Sequence, residues 1–462
     1  MPEHYDAIII GTGQAGPSLA VKLANAGQRV AVIERYRFGG TCVNTGCIPT
    51  KTLIASARVA YLARRASDFG VEIGGPITVN MKRVKARKDE VAGESETGVE
   101  KWLRSTANCT VYQARASFRS DREIGVGDQV LTADRIFINV GTRAAIPRIP
   151  GLDHVNYLTN SSMMNLDFAP RHLVIIGGSF IGLEFAQMYR RFGSEVTVLE
   201  RGPRLVGSED PDVSDTLREI LEKEQIGIGL NTDIAGVGKA RDGIEVRTGS
   251  EVVSASHLLI ATGRRPNTDD LGLENTGIRM NEHGYIQVDD ELKTSATNVW
   301  ALGDCNGRGA FTHTSYNDFE IVAANLLDKD HRRVSDRITA YALYTDPPLG
   351  RAGLTEAQAA ASGRQVLIGK RLMTRVGRAE EKSETQGFIK ILVDAESKSI
   401  LGAAILGTEG DEAIHCILDV MYTKAPYTVL QRSVNIHPTV SELIPTVLGD
   451  LKPLQKTAEK SQ

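Results

Sequence analysis

The sequence predicts an α/β protein built from two Rossmann-like nucleotide-binding domains and a C-terminal α+β domain. Three observations carry that prediction. An apolar strand over 5–10 runs into Gly11-Thr12-Gly13-Gln14-Ala15-Gly16, and another over 173–176 runs into Gly177-Gly178-Ser179-Phe180-Ile181-Gly182. Each glycine run opens a helix, and each following strand ends on an acid eighteen residues past the last glycine, at Glu34 and Glu200. The strand and glycine turn of 136–142 recur at 258–264, an internal repeat that argues for two related domains.

In such a unit the first glycine makes the tight turn and the second lets backbone approach a pyrophosphate. The third allows close packing of helix on strand, and the helix N-terminus stabilises the phosphates. Gly11, Gly13, Gly16, Gly177 and Gly182 therefore read as parts of nucleotide cradles, with Glu34 and Glu200 as ribose ligands. The second unit departs from the pattern at Ser179, which stands where the middle glycine belongs. Two nucleotides in one chain imply electron transfer between them, unless the second unit is a decayed copy.

Residues 39–51, Gly-Gly-Thr-Cys-Val-Asn-Thr-Gly-Cys-Ile-Pro-Thr-Lys, place Cys42 and Cys47 in a glycine-rich run. On one regular helix, residues five apart lie about 7.5 Å apart along the axis and face different ways, so a disulfide would not close. Gly39, Gly40 and Gly46 permit an irregular backbone that brings the sulfurs together. Pro49 predicts a helix beginning there and running through 52–62. Its N-terminal end, with Lys51, would lower a nearby thiol's pKa. The spacing alone reads either as a redox pair or as two structural cysteines. A zinc site would need further ligands at matched intervals, and Cys109, Cys305 and Cys416 are scattered singly.

With 462 residues the chain is long enough for two to four domains. A formal net charge of −3 gives no reason to expect nucleic acid or an anionic membrane as partner. An odd count of five cysteines fits a reducing compartment, and the N-terminus shows neither a long apolar run nor a cleavage site. No stretch reaches the length of a membrane span. The expectation is a cytoplasmic protein.

Further along, 77–103 reads as helix, 110–138 as short strands, and the proline-rich 146–151 as a crossover. Residues 294–305 read as a strand ending in a glycine–aspartate turn. There Asp304 is placed either to hold a ligand hydroxyl or to close an Asx-turn. An antiparallel pair over 387–393 and 400–406 precedes a helix over 408–422. A further helix starts near Pro438. His437 and Glu442 could form an oriented acid–base pair, although the residues alone favour a helix cap.

Taken in order, 39–51, both nucleotide units, 261–267, Asp304, His437 and Glu442 resemble the class I flavoprotein disulfide reductases. These are dihydrolipoamide dehydrogenase, glutathione reductase, mercuric reductase and their relatives, and the resemblance covers nearly the whole chain. It implies FAD held by Gly11, Gly13, Gly16, Glu34, Gly40, Thr41, Lys51, Gly141 and Asp304, the last on the ribityl chain. It implies a nicotinamide nucleotide held by Gly177, Ser179, Phe180, Gly182, Glu200 and Gly263, with Phe180 as an aromatic gate. Cys42 would exchange with substrate, Cys47 would contact the flavin, and Lys51 would pair with Glu184. The C-terminal domain would form a homodimer interface that offers His437 and Glu442 to the partner's cysteines. The layout expected is 1–150 with 274–338 for FAD, 151–273 for NAD(P) and 339–462 for dimerisation.

The implied activity is NAD(P)H:disulfide oxidoreduction through FAD and a Cys42–Cys47 disulfide, onto a small disulfide such as lipoamide. The alternative is a mercuric-reductase-like reductase of metal ions or quinones. Mercuric reductases carry a vicinal cysteine pair at the C-terminus and an N-terminal metal-binding domain, and this chain shows neither, so Hg(II) is the less expected acceptor. Glu200 favours NADH over NADPH, while Arg201 and Arg204 nearby pull the other way.

Overall fold

The computed structural model describes residues 2–455. The stretch beyond Gln455, the end of the expected dimerisation domain, therefore lies outside the described residues.

The first sheet runs, in spatial order, Cys109–Gln113, Val30–Glu34, Glu3–Ile10, Gln129–Ile138, Glu123–Val126 and Ala116–Phe118. Val299–Ala301 returns from far along the chain to pair in parallel with Gln129–Ile138. Glu3–Ile10 pairs in parallel on both sides, with Ile8 opposite Ala31 and Ile136. A central parallel strand is covered on both faces, which is why its end reads as an unbroken apolar run. Ala7 and Ile9 join Leu19 and Leu23 of the helix Gly16–Asn25 in one core, while Ile8 and Ile10 join Phe118 and Ile124 in another.

The same plan recurs. Gly227–Gly229, Glu195–Leu199, His172–Ile176, His257–Ile260 and Tyr157–Leu158 form a second parallel sheet, with the helix Phe180–Phe192 behind its first glycine turn. An antiparallel pair, Thr142–Ala144 with Arg264–Pro266, joins the two units directly after the repeated strands.

The C-terminal sheet is antiparallel, in the order Ala340–Leu343, Leu349–Gly353, Ile400–Leu406, Phe388–Asp394, Val366–Leu372 and Lys452–Pro453. Helix Gly410–Tyr422 buries Ile414 and Ile417 against it. On the opposite side, Leu349, Phe388 and Leu406 share a core with Phe185, Met188 and Leu217 of the second unit. The class expected from sequence, two Rossmann-like sheets plus an α+β region, is the class observed.

Local boundaries differ in instructive places. The cysteine-bearing helix begins at Cys47, two residues before Pro49, and extends to Arg64. No helix opens at Pro438. The His437–Pro438 bond is cis, and the next helix proper is Ile444–Gly449. Among the described residues, no helix is long and apolar enough to cross a membrane.

Candidate active site

Both nucleotide units open onto one cavity of about 950 Å³. In the first unit Gly11 has φ +100° and Gly16 abuts Gly11, so a Cβ at either would strike backbone. A Cβ on Gly13 would lie 2.8 Å from Asn139 Oδ1, and one on Gly40 would lie 2.9 Å from Gly13 Cα. The loop carrying Gly40 and Thr41 thus presses against the glycine turn at the N-terminus of Gly16–Asn25. Asn139, to which the sequence reading gave no role, locks this turn. Its Oδ1 accepts from Gly16 N at 3.0 Å and its Nδ2 donates to the Leu302 carbonyl at 2.9 Å.

The two acids are held alike. Glu34 accepts from Thr12 N at 3.0 Å, from the Thr12 hydroxyl at 2.7 Å and from Tyr36 N at 2.9 Å. Glu200 accepts from Gly178 N and from Gly202 N, each at 2.7 Å. A carboxylate held by backbone N–H groups is pre-aimed, with lone pairs to spare for ribose hydroxyls. Gly177 has φ +114° and abuts the Ala261 carbonyl, and Gly182 abuts Gly177. Ser179 takes extended backbone (φ −109°, ψ −170°) just before Phe180–Phe192 and leaves its side chain exposed, which explains how a non-glycine is accommodated there.

Cys42 lies in the short helix Gly40–Asn44 and Cys47 starts the helix Cys47–Arg64. The break at Thr45 and Gly46 removes the helical spacing that would hold the sulfurs apart. Both cysteines are free thiols in this structure. The Thr312 hydroxyl donates to Cys42 Sγ at 3.0 Å and stands 3.1 Å from Cys47 Sγ. Hydrogen bonding between the sulfurs splits their acidities. Donation from Cys42, together with the Thr312 hydroxyl and the Lys51 charge, outweighs burial and lowers Cys47 to about 6. The same bond, followed by burial, pushes Cys42 far up.

Lys51 Nζ donates to both Glu184 oxygens, at 2.9 and 2.7 Å, and lies 4.5 Å from the centre of the Tyr344 ring. Tyr344 N donates to the same carboxylate at 3.1 Å. Phe180, at the cavity wall, meets Phe311 and Tyr341 edge-on, with ring centres 5.9 and 5.4 Å away. Asp304 accepts from the Thr142 hydroxyl at 2.8 Å, and burial pushes its carboxyl up against that bond and the Arg264 charge. Gly141 and Gly263, with φ +64° and +134°, line the same cavity.

His437 stands apart from this cavity. Its Nδ1 lies 2.9 Å from Glu442 Oε2, its side chain is 78% exposed, and the neighbouring Val434 and Ile436 are exposed as well. The sequence reading missed Asn139, Thr312 and Tyr344. Nothing in the residues around Thr312 says that its hydroxyl faces sulfur.

Two nucleotide cradles and one dithiol on a shared cavity define an oxidoreductase that couples a pyridine nucleotide to thiol chemistry. The chain belongs to the pyridine nucleotide-disulphide oxidoreductase family, whose model matches residues 5–318, and 339–448 match that family's dimerisation domain. It is 36% identical over 446 residues to RclA of Escherichia coli strain K12, a probable pyridine nucleotide-disulfide oxidoreductase, covering 95% of this chain and 97% of the relative. It is 32% identical to a dihydrolipoyl dehydrogenase of Thermus scotoductus, covering 95% of each. With a mercuric reductase of Staphylococcus aureus the identity is 31%, covering 94% and 81%. The solved structure of the HOCl-induced flavoprotein disulfide reductase RclA from Escherichia coli superposes with a TM-score of 0.90 at 35% identity, covering 97% and 100%.

This family membership implies FAD and a pyridine nucleotide, and the residues present fit them. The glycine turns leave no room for side chains where phosphates would approach, and each turn opens a helix whose positive N-terminal end suits an anion. Glu34 and Asp304 line the same cavity and bring carboxylate acceptors to it, a donor set that suits hydroxyls.

Proposed function

We propose that this protein is an NADH:disulfide oxidoreductase that uses FAD and the Cys42–Cys47 pair to reduce a small disulfide. The observation carrying this reading is the dithiol itself: two sulfurs of opposed acidity share one hydroxyl partner and face the cavity that serves both nucleotide units. FAD, held by Gly11, Gly13, Gly16, Glu34, Gly40, Thr41, Gly141 and Asp304, supplies the two-electron link between nicotinamide and this pair. Residues 1–150 with 274–338 are assigned to it, 151–273 to the nicotinamide nucleotide and 339–462 to the contact with a second copy.

The chain's own residues then perform the thiol chemistry. The partner's His437 takes the proton of Cys42, whose thiolate attacks one sulfur of the acceptor, forming a mixed disulfide and expelling the other sulfur as a thiolate. The partner's His437, oriented by the partner's Glu442, protonates that leaving group. Cys47 thiolate attacks Cys42 Sγ, restores the Cys42–Cys47 disulfide and releases the second thiol. Lys51, fixed by Glu184, keeps positive charge beside the flavin-side sulfur.

Glu200 sets the nicotinamide preference, because a fixed carboxylate binds ribose hydroxyls and repels an added phosphate. Hydrogen bonds to a charged group are worth about 1.5–3 kcal/mol. Glu200→Ala should therefore lower the ratio of kcat/KM for NADH over NADPH by about tenfold or more. An unchanged ratio would assign the preference elsewhere.

A second reading is a reductase of metal ions or quinones. It is favoured by the relative RclA, which has been solved as a Cu(II) complex and superposes with a TM-score of 0.89. Steady-state turnover of lipoamide, glutathione disulfide, Hg(II), Cu(II) and quinones, each with NADH and NADPH, separates the two. The expected result is turnover of a small disulfide with NADH. Turnover of metals or quinones alone would establish the second reading.

A further inference from the structure

The segment 311–315 is not used by the reaction as written, yet it touches the reacting atoms. Thr312 opens the twelve-residue helix Thr312–Ala323, so its hydroxyl stands at the positive end of a helix. That one oxygen is 3.0 Å from Cys42 Sγ and 3.1 Å from Cys47 Sγ. A hydroxyl has a single proton to donate, so it can serve only one sulfur at a time. Cys47 starts the second helix of the site and directs its backbone N–H at Cys42. The N-termini of two helices therefore converge on the sulfur pair.

We propose that Thr312 is a catalytic residue whose hydroxyl turns between the two sulfurs, donating to whichever carries the negative charge at each stage. The inference rests on the redox-dithiol reading above and adds to it a residue that sets the charge distribution. In the reduced pair the hydroxyl donates to Cys42 Sγ, in place for the charge that Cys42 carries when it attacks. When the charge rests on Cys47, rotation about a single side-chain bond moves the donor to that sulfur, 3.1 Å away, with no backbone movement. The groups facing the pair from the surrounding elements are Lys51, its partner Glu184, Arg264 and Tyr344. None of these four is hydrogen-bonded to both sulfurs, as Thr312 is.

The rings next to it keep the hydroxyl in place. Phe311 stacks between His313 and Tyr341, with ring centres 5.4 Å away on each side. His313 Nε2 donates to the Ala340 carbonyl at 2.7 Å, which ties the start of this helix to the C-terminal sheet. The start of the helix that carries the threonine is thus anchored by a packed stack.

The test uses the reduced FAD-bound protein and two readouts. The pH dependence of iodoacetamide alkylation, mapped to Cys42 and Cys47 by mass spectrometry, reports which sulfur is the thiolate. Equilibration with a dithiothreitol redox buffer reports the stability of the dithiol. In Thr312→Val the shape is kept and the donor lost, so thiolate at pH 6 should fall about tenfold, as expected for a hydrogen bond to charge. The dithiol–disulfide equilibrium should shift by a similar factor, equivalent to about 30 mV. Thr312→Ser should restore both, and Thr312→Ala should repeat the loss if the valine variant folds poorly. Alkylation profiles and equilibria within twofold of the parent in both Val and Ala variants would overturn the proposal. A parent protein that yields no Cys42–Cys47 disulfide peptide after oxidation would instead sink the redox reading beneath it.

Discussion

Cys42→Ser is expected to lose disulfide turnover by on the order of a thousandfold or more, because removing a covalent nucleophile leaves only binding to accelerate the reaction. The variant should still be reduced by NADH, since neither nucleotide cradle involves this side chain beyond its place on the cavity wall. It should also retain turnover of acceptors that take electrons without thiol exchange. Stopped-flow reduction by NADH and steady-state assays with lipoamide measure the two halves separately. Full turnover of a disulfide by this variant would contradict the Cys42 assignment. Loss of reduction by NADH as well would show that the substitution had damaged the cradle, and Cys42→Ala would then decide.

The parts of the site written in contiguous residues were legible in the sequence. Glycine at 11, 16, 177 and 182 is required by close backbone approach, and Glu34 ends one strand while Glu200 directly follows another, each beside its glycine turn. Cys42, Cys47 and Lys51 lie within ten residues of one another. The parts that escaped are contacts across long separations. Asn139 bonds Gly16 from 123 positions away, and Thr312 reaches Cys42 across 270. No periodicity or capping rule encodes such pairs, because they exist only once the sheets have formed. The Lys51–Glu184 pair, 133 positions apart, was available only through the resemblance, and the structure brings it to 2.7 Å. His437 illustrates the opposite case. Its local chemistry was readable, but within one chain it faces solvent beside exposed Val434 and Ile436, and the role proposed for it requires a second copy of the chain.

The largest stability effect is expected at Arg351, which no motif singled out. Leu349–Gly353 brings its side chain, 1% exposed, against Glu209 and Asp210 at the start of helix Pro211–Lys223. Lys390 enters the same pocket and reaches Asp210 at 2.9 Å, Asp212 at 2.7 Å and Glu356 at 2.5 Å. Asp210, Asp212 and Glu356 are close enough together to hold a cation, and that position is taken by the lysine ammonium. The cluster therefore reads as a lock between the second nucleotide unit and the C-terminal sheet. Tyr341 extends it, donating to Glu209 at 2.7 Å while its ring meets Phe180.

A buried ion pair adds little over a well-packed apolar replacement, but breaking one leaves an uncompensated charge and costs about 3–5 kcal/mol. Arg351→Ala should lower the stability of the holoprotein by about that amount in denaturant titrations. A loss below about 1 kcal/mol would mean that water reaches Glu209 and Asp210 and relieves them. The pH dependence has a definite sign. Burial pushes the Asp210 carboxyl up, but the charges of Arg351 and Lys390 outweigh it and hold it below its ordinary value. A group depressed in the folded state contributes stability above its unfolded pKa of about 3.9 and loses it as pH falls through the folded value. The parent should therefore lose this contribution only in acid, below about pH 4. In Arg351→Ala one counter-charge is gone, so Asp210 protonates at higher pH and the gap between parent and variant narrows as acid is added. A gap that widens in acid would mean that the carboxylates are not what Arg351 compensates.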